Sequence, residues 1–219
     1  RLKCIKALDI TGKDLAIASE GSFGPHPTIF FSHADDELLL LVDKKNELEI
    51  VTRFLTTDTN FNAMVVKSKK ELIDFAKATQ FPSHGLIMKK SKEEFNEMKK
   101  GIVDWDTLSQ HFNFLMEKYQ SAYVETDMRA MYNPSRMLFI EKVAHKLLAK
   151  VKSTCPDCQT PGLSITAIKE GLPCSACDLP TSSILCYIYS CVKCSFVKEE
   201  MYPNGNKVEE PMFCNFCNP

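Results

Sequence analysis

"CPDCQTPGLSITAIKEGLPCSAC", Cys155 to Cys177, decides how the last third of this chain is read. Its two CxxC pairs stand 15 residues apart, and two more pairs follow, Cys191/Cys194 and Cys214/Cys217, after gaps of 13 and 19 residues. A CxxC turn aims two sulfurs at one point, and two such turns complete a tetrahedral four-thiolate shell for zinc. The gaps match the spacing of zinc ribbons. Cys155, Cys158, Cys174, Cys177, Cys191, Cys194, Cys214 and Cys217 are therefore expected to hold two structural Zn ions. Sequential pairing, first with second and third with fourth, is preferred because each half contains a hairpin-sized segment. These are "LSITAIKEGL" and "FVKEEMYPNGNKVEEP", the latter with a Pro-Asn-Gly turn. Cross-braced and nested pairings use the same eight residues. Cys186, in "SSILCYIYS", reads as a buried strand cysteine.

A catalytic zinc keeps an open position, often beside histidine and a carboxylate base. Residues 151–219 contain no histidine, and their thiolates suffice to close two shells. Zinc would then fold a region with little other core. The region carries five lysines and no arginine against seven acidic residues, and metal-bound thiolates deepen that negative charge. Phosphate backbones need a positive footprint, so nucleic acid is not the expected partner. Tyr187, Tyr189, Phe196, Phe213 and Phe216 read as a small core.

Outward from the cysteines, 219 residues with 44% apolar and 25% charged content describe an ordinary folded chain. Runs such as "LLLLV" (38–42) are strand-sized, well short of the roughly 20 residues of a membrane span. "RLKCIKALDI" mixes charge and apolar groups at helical spacing and is no signal peptide. Paired thiols without an export signal point to a reducing, cytoplasmic setting. The chain starts on Arg rather than Met and is read as a processed or cut-down form.

Residues 1–150 carry one cysteine and long periodic segments, giving an expected domain boundary at 150/151. "NPSRMLFIEKVAHKLLAKVKS" predicts a helix capped by Asn133 with Pro134 in its first turn. "KDLAIASE", "FNAMVVK", "GLIMKK" and "AYVETD" read as strands. "ELLLLVDKKNELEIVTRFLTT" reads as two strands joined near Lys44–Asn46. "SKKELIDFAKATQ" is a helix capped by Ser68 with Glu71 three residues on. "SKEEFNEMKKG" and "DWDTLSQHFNFLMEKYQ" also look helical. The fold class expected is α/β, a mixed sheet flanked by helices, followed by a double zinc-ribbon-like β domain over 151–219.

Three polar strand ends in residues 1–150 carry the chemistry. In "SEGSFGPHP" (19–27), Gly21 and Gly24 permit close ligand approach, and two prolines fix the direction of His26. Glu20, Ser22 and His26 would face a ligand at the sheet edge. The alternative is a stiff corner with a solvated histidine. In "VETDMRAMYNPSR" (124–136), Glu125 and Asp127 offer oxygens for Mg, Asn133 opens a helix, and Arg129 or Arg136 offers a fork for an anion. The alternative is a capped helix with a surface Asp–Arg pair. "TTDTNF" (56–61) presents Asp58 and Asn60, or is simply an Asx-type turn. His33, His111 and His145 read as surface or partly buried; His84, just after Pro82, stands out among the remaining histidines.

"CPDCQTPG", "GLPCSAC", the two later CxxC pairs, "ASEGSFGPHP", "TTDTNF" and "ETDMRAMYNPSRM" resemble an uncharacterised bacterial family, catalogued as a domain of unknown function. The resemblance spans nearly the whole chain. It implies an α/β domain followed by a four-CxxC zinc region, with further residues before Arg1, and it brings no activity. A helix, a strand ending in Ser-Glu-Gly and a hairpin are also similar to the triphosphatases that remove inosine and xanthosine triphosphates. There an acid at that strand end helps hold magnesium, which Glu20 would match; their upstream phosphate loop has no counterpart here. Two readings follow. One is a nucleotide or phosphate-ester site, a Mg-dependent phosphohydrolase with Glu20, Glu125 and Asp127 on the metal and His26, Arg129 and Arg136 on phosphate and protons. The other is a non-enzymatic scaffold that binds a protein partner.

Overall fold

A computed structural model describes all residues from Arg1 to Pro219. The chain divides into two compact units, Arg1–His145 and Lys146–Pro219. Four helices and three sheets make it a mixed α and β structure.

In the first unit, α1 (Leu2–Thr11) ends at Gly12, whose φ of 63° lets the chain reverse. The strands β1 (Leu15–Pro25), β2 (His33–Asp43) and β3 (Leu48–Thr56) then form an antiparallel meander in that order. Cys4 and Leu8, one helical turn apart on α1, pack with Ala16, Leu40 and Val42 on one face of this sheet. Successive strand residues point to opposite faces, so the other face of β2 carries Asp35, Glu37, Leu39 and Leu41. All four are buried. Coverage on both faces explains why β2 reads as a near-continuous apolar run.

The second sheet contains β4 (Ala63–Val66), β5 (Leu86–Lys89), β6 (Lys99–Ile102) and β7 (Ala122–Thr126), in the order β4-β7-β5-β6. The helix α2 (Lys69–Ala78) links β4 to β5, and α3 (Trp105–Tyr119) links β6 to β7. Ser68 and Glu71 form a reciprocal capping box on α2, and Asp104 caps α3. Leu72, Phe75, Leu108, Phe112 and Leu115 bury the helices' apolar stripes against Val66, Leu86, Met88, Ile102 and Val124. Helix α4 (Pro134–Lys152) follows a single 3₁₀ turn, Ala130–Tyr132, and Asn133 Oδ1 caps it by accepting the Arg136 N–H at 3.0 Å.

The structure differs from the sequence expectation in three places. The first unit has two sheets, and every paired strand in them is antiparallel. The expected mixed sheet fails because each helix crosses over a strand: β7 lies between β4 and β5, and β5 between β6 and β7. "SKEEFNEMKKG" forms turns leading into β6, not a helix. Its large apolar residue Phe95 is 66% exposed, so no apolar stripe holds a helix down. Finally, β1 continues through "SEGSFGP" rather than ending before it. Glu20, Gly21, Ser22 and Gly24 are ladder residues opposite Leu38, Glu37, Asp36 and Ala34.

The second unit is built on β8 (Ser164–Glu170), β9 (Ile184–Ser190) and β10 (Val197–Met201), an antiparallel sheet ordered β10-β9-β8. Cys186 on β9 is fully buried, while β8 is exposed along nearly its whole length.

Candidate functional site

One strand, and only one, separates each cysteine knuckle from the next. The first knuckle precedes β8, the second lies between β8 and β9, the third between β9 and β10, and the fourth follows β10. A seven-residue strand carries the chain about 20 Å, so each crossing delivers the next knuckle to the opposite end of the sheet. Antiparallel pairing therefore gathers the first with the third and the second with the fourth.

Cys155, Cys158, Cys191 and Cys194 form one cluster, and Cys174, Cys177, Cys214 and Cys217 the other. This interleaved arrangement overturns the preferred sequential pairing. That preference took "LSITAIKEGL" as returning the chain to its start, whereas it is a single outbound strand. The Sγ atoms lie 3.7 Å apart for Cys155–Cys194 and 3.6 Å for Cys158–Cys191. In the other cluster they lie 3.9 Å apart for Cys174–Cys217 and 3.7 Å for Cys177–Cys214. A tetrahedral Zn–S bond of 2.3 Å requires S···S separations of about 3.8 Å, whereas a disulfide requires about 2.05 Å. The donor set thus fits a four-thiolate metal shell and no cystine.

Local backbone geometry prepares the knuckles. In the first, Cys155 N–H donates to Thr160 O and Gln159 N–H to Cys155 O, both at 2.9 Å; Gln159 is left-handed. Cys174, Leu179 and Asp178 repeat the same pattern at the same offsets. The N–H groups of Ala176 and Lys193 point at Cys174 and Cys191 Sγ, each at 3.4 Å, where they would stabilise thiolate charge. The fourth knuckle is drawn to the second by Ser175 N–H to Glu209 O at 2.9 Å and Glu209 N–H to Pro173 O at 2.8 Å.

A family model described as Domain of unknown function (DUF6671) matches residues 3–219. The chain belongs to this family. No curated protein and no solved structure matches it. No helix of this DUF6671 chain is long and apolar enough to cross a membrane.

The first unit of the DUF6671 chain distributes its expected site residues among separate duties. Glu20 is exposed and pairs with Lys3 on α1 at 2.5 Å, which lowers its carboxyl pKa. His26 Nδ1 accepts the Thr28 and Ile29 N–H groups at 3.2 and 3.0 Å, so its ring closes the β1–β2 connection. Ser22 and Gly24 line an open cavity of about 610 Å³ together with Phe23 and Leu55. Its charged groups, Asp36 and Arg53, bind each other at 2.9 and 3.0 Å. Asp58 is exposed. Glu125 pairs with the buried Lys89 at 3.2 Å. Asp127 is fully buried and accepts from Arg129 N, Nε and Nη2 and from Gly101 N. Arg129 in turn lies over the Tyr132 ring, 4.5 Å from its centre. Gly101 has φ 66°, and a Cβ there would lie 2.7 Å from that ring. Each of the three proposed magnesium carboxylates thus has its own cation, and no bond joins them.

What the structure does bring together is a polar seam on α4. Arg136 Nε donates to Glu37 Oε1 at 2.6 Å, its Nη1 to Met128 O, and its guanidinium covers Phe23 at 4.8 Å. A Cβ at Gly21 would overlap this guanidinium and lie 2.6 Å from Glu37 Oε1, so glycine clears the space for the ion pair. Asn133 Nδ2 reaches Asn60 Oδ1 at 2.8 Å, and Asn60 Nδ2 reaches Thr79 O at 3.1 Å. Asp35 and Glu37 were not among the expected residues. They are 2% and 0% exposed, and Asp35 Oδ1 and Glu37 Oε2 have no hydrogen-bond partner. Burial first, and then the Glu37 charge, push the Asp35 carboxyl up to about 7. Their signal was present as "HADDELLLLV": carboxylates at i and i+2 share the face of Leu39 and Leu41 in a buried strand.

Proposed function

We propose that the second unit is a zinc-stapled, ribbon-like module that presents a surface to a protein partner in a reducing compartment, with both zinc ions structural. The observation that carries this is the meeting of eight cysteines as two sets of four, the sulfurs of each set all within 4.8 Å of one another. With four thiolates per ion, no coordination position is left for water or substrate. Bound there, the metal would cross-link the ends of the sheet. The sheet itself offers exposed apolar side chains, Ile165, Ile168, Val197 and Met201. The formal charge of residues 151–219 is −2 before metal thiolates are counted, which favours protein over nucleic acid as partner. Metal analysis of the purified chain tests the reading: close to two zinc per chain is expected, and one or none overturns it.

A further inference from the structure

His84 and Ser135 form a pair that neither the metal clusters nor the Arg136 seam employs. His84 is 4% exposed, and its Nε2 lies 2.9 Å from Ser135 Oγ. The Ser135 backbone N–H also donates to that nitrogen at 3.3 Å. Nε2 is therefore the unprotonated nitrogen, and the Ser135 hydroxyl donates to it. The ring proton sits on Nδ1, 3.0 Å from Ser83 Oγ, whose own hydroxyl donates to Gln80 O at 2.6 Å. Burial lowers the pKa of His84 and keeps the ring neutral at neutral pH. Ser135 is only partly buried, and it stands in the first turn of α4, where the helix dipole favours developing negative charge. Hydroxyl, base and a third group orienting the base are the parts of an activated nucleophile.

We propose that Ser135 is a nucleophile activated by His84, and that it accepts the acyl group of a carboxylic ester. The Ser135 proton passes to His84 Nε2 as Oγ bonds to the carbonyl carbon. The ester C–O bond then breaks, and the leaving alkoxide takes the proton from Nε2. Water, deprotonated by the same nitrogen, attacks the acyl carbon and releases the carboxylic acid, and the proton returns to Ser135 Oγ. A fluorophosphonate follows the first half of this course: an Oγ–P bond forms, fluoride leaves, and the serine stays capped.

The full chain with its metal is incubated with an alkyl fluorophosphonate, and the adduct is mapped by peptide mass spectrometry. A single adduct on Ser135 is expected, absent in Ser135→Ala. Folded His84→Gln should label about 100-fold more slowly or worse, the usual contribution of a general base. No adduct on Ser135 of the unmutated chain overturns the proposal, whatever the variants do. Equal labelling of folded His84→Gln overturns the role of the histidine.

Discussion

The two units solve the problem of burying a small sheet in opposite ways. In the first, α2 and α3 lay Leu72, Phe75, Leu108 and Leu115 over β5 and β7, and almost no solvent reaches these side chains. In the second, β8 is exposed along nearly its whole length, and the buried residues include Cys155, Cys174, Cys186 and Cys214. Hydrocarbon holds the first sheet, and coordinate bonds would hold the second. A domain that buries little apolar surface cannot offset its conformational entropy without such links.

Metal removal breaks this comparison most sharply. A structural zinc of this type contributes on the order of 10 kcal/mol to folding. Chelation should therefore abolish amide protection in β8, β9 and β10, while β5, β7 and α3 keep theirs. Hydrogen exchange followed by mass spectrometry reads both regions in one experiment. Parallel loss of protection in both would show that the first unit does not stand on its own core.

The next effect belongs to Asp35. Its pKa is about 7 in the folded chain against an ordinary 3.8, so folding holds its proton more tightly. The unfolded state binds fewer protons between those values, and stability falls as pH rises from about 4 to 7, then levels off. The full loss is on the order of a few kcal/mol. Asp35→Asn should lack this slope and exceed the unmutated chain in stability at pH 8. Thiolate coordination strengthens with rising pH, in the opposite sense. Urea unfolding of both proteins at matched pH values isolates the Asp35 contribution as their difference, and a difference independent of pH would contradict it. The smallest effect is at the α2 cap. Ser68→Ala should cost about 1 kcal/mol, seen as a lowered denaturant midpoint in the first unit with no change in metal content.

What could be read from the sequence depended on the range of the signal. The caps at Ser68 and Asn133, the β2–β3 turn and the four CxxC turns are local patterns, and the structure shows the caps, the turn and the eight paired cysteines gathered into two groups of four. Sheet neighbours are not local. Nothing in "AYVETD" states that β7 inserts between β4 and β5, and that insertion turned an expected mixed sheet antiparallel. The interleaving of the cysteines was legible in principle, because the chain makes one crossing between each pair of knuckles, but a strand and a hairpin of ten residues look alike. "SEGSFGPHP" misled for a related reason: its glycines suggested a loop, while Gly21 serves inside a strand to admit Arg136. The Asp35–Glu37 pair escaped because its burial depends on α4, about 100 residues away in the chain.

The interleaved pairing of the cysteine clusters is the central claim, and zinc content of two double variants tests it most directly. Cys155→Ser with Cys191→Ser removes two ligands from one cluster and should leave one zinc per chain. Cys155→Ser with Cys174→Ser removes one ligand from each cluster and should leave none tightly bound. The reverse result, with one zinc in the Cys155/Cys174 variant and none in the Cys155/Cys191 variant, would contradict the account and restore sequential pairing.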